Sequence, residues 1–391
     1  MNGDLDIRQA DDTRSRKRFL ELPFRLFRDD PNWVPPLRSA QRKVLAGKTA
    51  FFDRAEMVLF LAERSGTTVG RVAAIHNKAY NAYHGDDVGF FGFFECDARD
   101  VEAARALLGR VESWLLARGL KTLRGPVSPS MNAKCGLLVE GFDTPPMALM
   151  PYNPESYVGV LESLGLRKCK NLYAYRIEAK DVLPGTEGRD RLARLGRALR
   201  RRHREVNLRC VDMRNYQREI LRFMRVFEEA RRNNWGYVPM TEKEILETAA
   251  QMKRVIDPEI VILAEVDGVP AGALLAIPNV NRALAAVNGR LLPFGFLRLF
   301  REMKRVTEMR ILGVAALEKH RHKGITALLF LEAILRGWAR GYRLAEASWV
   351  LEDNQLSDQT IRSVFNPERY KTYRIYEKRL GAEGRRVPDA K

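Results

Sequence analysis

"FLAERSGTTVGRVAAIHN" (60–77) and "ILAEVDGVPAGALLAIPN" (262–279) are two versions of one pattern, identical at eight of 18 aligned positions. Each begins as an apolar run, turns at a glycine (Gly66 or Gly268) and resumes as a second apolar run carrying another glycine (Gly70 or Gly272). Two such runs about a short Gly-containing turn predict a β-hairpin.

A second pair of segments keeps nearly the same offset. "NPESYVGVLESLGL" (153–166) lies 201 residues before "NQLSDQTIRSVFNP" (354–367). Each predicts a helix with asparagine at its N-cap and a left-handed stop at Gly165 or Asn366. A strand follows at 171–179 or 371–380. Between these landmarks a strand (88–96 or 310–319) precedes a helix (101–119 or 325–341). The chain therefore contains one unit twice, and internal repeats take priority over local reading. The expected architecture is α/β: two tandem units, each with a mixed, mostly antiparallel sheet flanked by helices. The break falls in "KDVLPGTEG" (180–188), giving units 1–182 and 183–391. The first has extra chain at 126–146, the second at 288–305.

Composition narrows the class. Of 391 residues, 46% are hydrophobic and 30% charged, as in a globular protein rather than a disordered one. Four dispersed cysteines and five histidines offer no ligand spacing, so no metal is expected and the thiols read as free in a reducing compartment. The acidic, polar start is not a secretory signal, and no apolar run reaches the roughly 18 residues of a membrane span. The expected location is the cytoplasm, or the cytoplasmic face of the inner membrane. A net charge of +18 suits anionic partners such as CoA esters, lipid surfaces or RNA.

The two strand–helix junctions differ in chemistry. In "EKHRHKGITALLF" (318–330) a glycine and several cations precede an apolar helix. A helix start offers free backbone N–H groups and a positive dipole, so this arrangement suits a pyrophosphate, although a solvated basic turn has the same composition. The matching "CDARDVEAARALL" (96–108) is acidic and lacks glycine. One anion site is therefore expected, in the second unit.

Arg321-His322-Lys323-Gly324-Ile325-Thr326 resembles the acyl-CoA motif Arg/Gln-x-x-Gly-x-Gly/Ala of the GCN5-related N-acyltransferase (GNAT) superfamily, with Thr326 at the final small position. The resemblance implies a tandem GNAT protein using acyl-CoA as co-substrate. Arg321, Lys323, Gly324, Ile325 and Thr326 would face the CoA phosphates, and Val314 and Ala315 would face the thioester. It also implies direct attack by an amine, which needs a base and an acid. Glu346, a carboxylate inside the apolar strand "RLAEASWV", is the candidate base, although it equally reads as an end-of-strand glutamate paired with one of the many arginines. Glu352 and Asp353 compete with it. The helix 355–365 contains no tyrosine, so Tyr373 and Tyr376 on the last strand are the candidate acids.

Two segments bear on the acceptor. In 189–206, Leu192, Leu195, Leu199 and Val206 recur at helical spacing among arginines, which fits an anionic membrane, RNA or a solvated basic face. The second, 290–305, mixes Phe294, Phe296 and leucines with cations, and suits a membrane interface, the mouth of an acyl pocket or a core helix. "FRLFRDDPNWVPPL" (24–37), "GFFGFFEC" (89–96), "NNWGYVP" (233–239) and "SWVLEDN" (348–354) resemble one bacterial group of tandem GNAT-like proteins, the bacterial ceramide synthases. That resemblance implies transfer of a long acyl chain to a lipidic primary amine, such as the sphingoid base 3-oxosphinganine, with Asn234, Trp235, Trp349, Asn354, Phe294 and Phe296 on the substrate side. The alternatives are an aminoacyl-tRNA-dependent peptidyl transferase, a small-molecule N-acetyltransferase and a non-enzymatic binding module.

Overall fold

The computed structural model describes residues 4–97, 99–178 and 187–381, without the side chains of Glu187, Arg189, Arg321 and His322. The first unit runs β1 (Leu5–Gln9), α1 (Thr13–Leu26), α2 (Arg38–Leu45), β2 (Ala55–Arg64), β3 (Thr67–Asn77), α3 (Lys78–His84), β4 (Val88–Cys96), α4 (Val101–Leu116) and β5 (Thr122–Gly125). It continues through β6 (Val127–Ser128), β7 (Lys134–Cys135), β8 (Leu137–Glu140), α5 (Ser156–Ser163) and β9 (Arg167–Glu178). The second runs α6 (Glu187–Arg202), β10 (Val206–Cys210), α7 (Tyr216–Arg231), α8 (Glu242–Met252), β11 (Val261–Val266), β12 (Val269–Pro278), α9 (Asn281–Val287) and α10 (Gly295–Met303). It ends with β13 (Glu308–Ala316), α11 (Ile325–Ala339), β14 (Leu344–Leu351), α12 (Gln355–Phe365) and β15 (Glu368–Arg379).

Both expected hairpins form, β2–β3 and β11–β12. Their turns, Ser65-Gly66 and Asp267-Gly268, have positive φ at both central positions, which matches the right-handed twist of the flanking strands. Asn354 caps α12 by accepting from the Ser357 N–H at 3.1 Å, and Asn366 stops that helix at φ 49°. Asn153 does not cap α5. Its side chain instead accepts from the Leu138 N–H (2.7 Å) and donates to the Leu138 carbonyl (3.1 Å), pinning β8.

The strands do not form two separate sheets. Thirteen of them make one sheet in the order β1-β2-β3-β4-β5-β15-β9-β14-β13-β12-β11-β10, with β8 also pairing with β15. Among the described residues only β4–β5 and β13–β14 are parallel pairs. The two last strands are exchanged: β15 pairs with β5 of the first unit, and β9 pairs with β14 of the second. The exchange welds the halves, because each unit's sheet is completed by the other's chain.

One apolar cluster joins β11–β14 to α11 and α12, and a second joins β2–β5 to α4 and α5. A third lies where the units meet, from Phe19 and Phe93 to Tyr373 and Ile375. The arginine-rich helix α6 belongs to the first of these. Leu192 is buried there, Leu195 and Leu199 pack beside it, and Val206 has already entered β10.

Candidate active-site cleft

Parallel strands β13 and β14 stay in register only from Glu308↔Leu344 to Ile311↔Ala347. Each strand then gains one extra residue against its outer neighbour. Leu275↔Gly313 follows Ala276↔Ile311 on one side, and Val350↔Tyr173 follows Ala347↔Tyr175 on the other. Such bulges bend a strand and increase its twist, and here they splay the pair. The resulting cleft, about 150 Å³, is walled by Gly313, Val314 and Ala315 on one strand and by Ser348, Trp349 and Leu351 on the other. Thr326 at the start of α11 and Asn354 at the start of α12 close its ends, and Asn234 just beyond α7 borders it.

Helix α11 begins at Gly324, which adopts the left-handed conformation (φ 60°) and leaves the helix start without a side-chain cap. Its first N–H groups have no intrahelical partner. Lys323 is not a free cation, since its Nζ lies 2.5 Å from Oε1 of Glu205. That contact is the main reason the Glu205 carboxyl is held down to about 2. A Cβ on Gly324 would lie 3.0 Å from Leu199 of α6, so α6 covers this side of the turn. The Ile325 side chain is fully buried, and Thr326 is the member of the motif, among its described side chains, that reaches the cleft. The side chain of Arg321 lies outside the described residues.

Beneath the cleft is a buried polar cluster. Register places Arg310 of β13 opposite Glu346 of β14, and the two are 3% and 0% exposed. Arg310 Nε is 3.7 Å from Glu346 Oε1 and donates to Ser348 Oγ at 2.8 Å, while its other nitrogens donate to the carbonyls of Ala148 (2.8 Å) and Ser348 (3.2 Å). Glu346 also accepts from the hydroxyls of Ser348 and Tyr370. Burial lowers the affinity of the Arg310 guanidinium for its proton, and the Glu346 charge opposes that effect. Burial, reinforced by Glu346, raises the Tyr370 phenol. Tyr373 is likewise raised by burial and by Glu346, and its hydroxyl has no hydrogen-bond partner among the described residues.

The structure brings some of the residues singled out in the sequence together and separates others. Glu346 and Tyr373 come together, whereas Tyr376 does not join them: it packs in the first unit's core and donates to Glu162 at 3.0 Å. Glu352 and Asp353 pair with Lys168 and Lys170 of β9, each at 2.7 Å. Trp235 lies outside the cleft wall, with cationic groups of Arg124 and Lys170 5.5 Å above its ring. Phe294 and Phe296 are exposed on and beside α10 rather than in the cleft. Arg310, Ser348 and Tyr370 were not anticipated. Arg310 carried a usable signal, as a charge inside the apolar strand "MRILGVAAL" that mirrors Glu346 on the neighbouring strand. Among the described residues no cluster of His, Cys, Asp and Glu could hold a metal ion.

A duplicated α/β unit with an exchanged last strand and a splayed central parallel pair defines the tandem GNAT fold. The chain aligns over 97% of its length with the whole of a tandem GNAT protein from the clavulanic acid biosynthesis pathway (TM-score 0.57, 11% identity). It aligns over 96% of both chains with a GCN5-related N-acetyltransferase from Sphaerobacter thermophilus (TM-score 0.52, 15% identity). No family model matches the chain. In sequence it is 36% identical over 387 residues to the bacterial ceramide synthase of Caulobacter vibrioides, covering 97% of this chain and 98% of that protein. It is also 32% identical over 370 residues to protein YghO of Escherichia coli K12, covering 93% of each. The chain belongs to this family of tandem GNAT-fold acyltransferases.

Proposed function

We propose that the second unit binds a long-chain acyl-CoA in the β13–β14 cleft and that the enzyme transfers the acyl group to the primary amine of a sphingoid base such as 3-oxosphinganine, giving a ceramide. The observation carrying this reading is the open splay ending at an uncapped helix start, a place where backbone N–H groups can meet a pyrophosphate. The ceramide synthase relative supplies the acceptor class. On this reading the division at 182/183 marks an ancestral duplication, and the first unit supports the acceptor side.

The chemistry follows from the buried cluster. A neutral amine attacks the thioester carbonyl carbon, the C–S bond breaks, and an amide and the CoA thiol form. Ser348 reaches the cleft, whereas Glu346 has no exposed surface. The Ser348 hydroxyl, which donates to Glu346, therefore takes the amine proton as it passes its own to the carboxylate. Arg310 stabilises the carboxylate and fixes Ser348. Tyr373 is as fully buried as Glu346 and lies outside the cleft wall, so the proton taken up by Glu346 returns to the leaving thiolate through Ser348, while Tyr373 keeps its own proton.

The test is release of CoA thiol from palmitoyl-CoA and acetyl-CoA with a panel of amines that includes sphingoid bases. Release with palmitoyl-CoA and a sphingoid base is expected, and no release from any long-chain donor would refute the proposal. Glu346→Gln is expected to slow transfer about 10²–10⁴-fold with acyl-CoA affinity unchanged. An unaltered rate would remove Glu346 from the mechanism.

A further inference from the structure

Twelve large apolar side chains are exposed among the described residues, and five of them fall within nine consecutive positions. Leu292 (79%), Phe294 (73%), Phe296 (40%), Leu297 (58%) and Phe300 (59%) form this group, on α10 and the turn before it. No residue of α10 is buried, so it is not a core helix. Phe300 neighbours Phe296 (four residues before it) and Leu297 (three before it) on the helix surface, so the three border one another along one side. The same segment, 290–305, carries Arg290, Arg298, Arg301, Lys304 and Arg305 against a single carboxylate, Glu302. Glu302 is engaged by Arg301 (3.5 Å) and Arg305 (3.3 Å). The arginine-rich helix α6 does not offer such a face, because its leucine stripe is packed into the core.

We propose that 290–305 docks the protein on an anionic bilayer, with α10 lying in the interface plane. The exposed phenylalanines and leucines enter the acyl boundary, and the flanking cations meet lipid phosphates. Charge selects this occupant. A second copy would bring the same excess of cations onto the patch, whereas an anionic lipid surface matches both its apolar centre and its basic rim.

The patch is also linked to the cluster beneath the cleft. Val287 of α9 and Leu297 of α10 line one groove. Just before and within α9, Asn279 accepts from the Ala148 N–H (2.9 Å) and Asn281 donates to the Pro146 carbonyl (2.7 Å). The Ala148 carbonyl then accepts from Arg310. The docking surface is thus tied through one short loop to the cluster beneath the cleft. Docking itself stands apart from the acyl-transfer proposal and is read without any turnover.

The experiment is flotation of the full chain with vesicles of phosphatidylcholine alone or mixed with phosphatidylglycerol. Binding to the phosphatidylglycerol vesicles is expected, weakening with added salt. Leu292→Ser/Leu297→Ser/Phe300→Ser is expected to abolish it, and Arg298→Gln/Lys304→Gln to weaken it about thirtyfold. These side chains are exposed, and a thermal melt checks that each variant folds. Absence of flotation by the parent, or flotation of the serine variant equal to the parent, overturns the proposal. So does a concentration-dependent dimer that the serine variant disrupts while vesicle binding is absent.

Discussion

After β4, helix α4 starts under Asp100, whose carboxylate accepts from the Ala103 N–H (3.0 Å) and pairs with Arg64 (3.0 Å). After β13, helix α11 starts under Gly324 with no side-chain cap. The parallel pairs before these helices diverge alike, β4–β5 after Phe90↔Arg124 and β13–β14 after Ile311↔Ala347. In the first unit, however, the gap is filled. The Ser128 hydroxyl accepts from the Phe93 N–H at 3.0 Å, and the Val127 carbonyl lies against Gly92 so closely that a Cβ there would come within 1.5 Å of it. Val127, Cys135, Leu137 and Leu138 from the inserted 126–146 are all buried. The splay is thus a property of the shared fold, and on the proposed function a unit becomes a binding site only if the splay stays empty and the helix start stays uncapped.

The sharpest way to break this contrast is to give the second junction the chemistry of the first. Thr326 and Glu102 are the second residues of their helices. Thr326→Glu should weaken palmitoyl-CoA binding roughly hundredfold, since a carboxylate about 5 Å from a phosphate costs about 3 kcal/mol at the effective dielectric of a protein surface. A glutamate suits a helix start, so thermal stability should hold. Calorimetric titration reads the affinity, and an unchanged value would move the phosphate site away from α11.

Next in size is a pH effect on the plug. Lys371 of β15, 1% exposed, anchors the insertion by donating to the carbonyls of Gly141 and Thr144. Burial lowers its ammonium from the ordinary 10.5 to about 8, against the opposing charges of Glu346 and Asp143. Between those two values the unfolded chain holds a proton that the folded chain has released. Stability should therefore rise with pH across the window, by about 3 kcal/mol, and sit at its lower plateau below about pH 8. Urea unfolding of the parent and of Lys371→Met, compared point by point, isolates this contribution, and parallel curves would dismiss it. Smaller again is a pair of glycine substitutions. Gly92→Ala should cost about 2 kcal/mol, because the atom it meets is backbone. Gly313→Ala meets only the Phe227 ring edge at 2.7 Å and should cost about 1 kcal/mol. Equal costs would mean that the first splay is no more tightly filled than the second.

What the sequence revealed follows the range of the forces involved. The hairpins, the left-handed stop at Asn366 and the uncapped glycine junction are set within a few residues, so they could be read directly. Strand exchange could not, because the place of β15 between β5 and β9 depends on pairings across more than a hundred residues. Nor could the fate of the two insertions: 126–146 fills a gap and 290–305 faces outward, although 290–305 is the richer in large apolar residues. At the site, lone charges in apolar strands marked Glu346 and equally Arg310, but only the parallel register makes them partners. Tyr373 and Tyr376 are three apart on one strand, and the two-residue period already sends them to opposite faces. Asn153 and Asn354 looked alike as caps, and only the neighbouring β8 diverted the first.

The smallest effect separates the two ways in which the first unit is closed. Asp100→Ala removes a helix cap and one partner of Arg64, which keeps Glu102 at 2.8 Å, so the loss of stability should be about 1 kcal/mol. The variant bares the start of α4 but leaves Val127 and Ser128 in the splay. If the insertion is what closes that half, calorimetry should still find one equivalent of acyl-CoA bound. A second equivalent would show that the carboxylate alone had kept the ligand out, and that the unit needs only an uncapped helix to become a site.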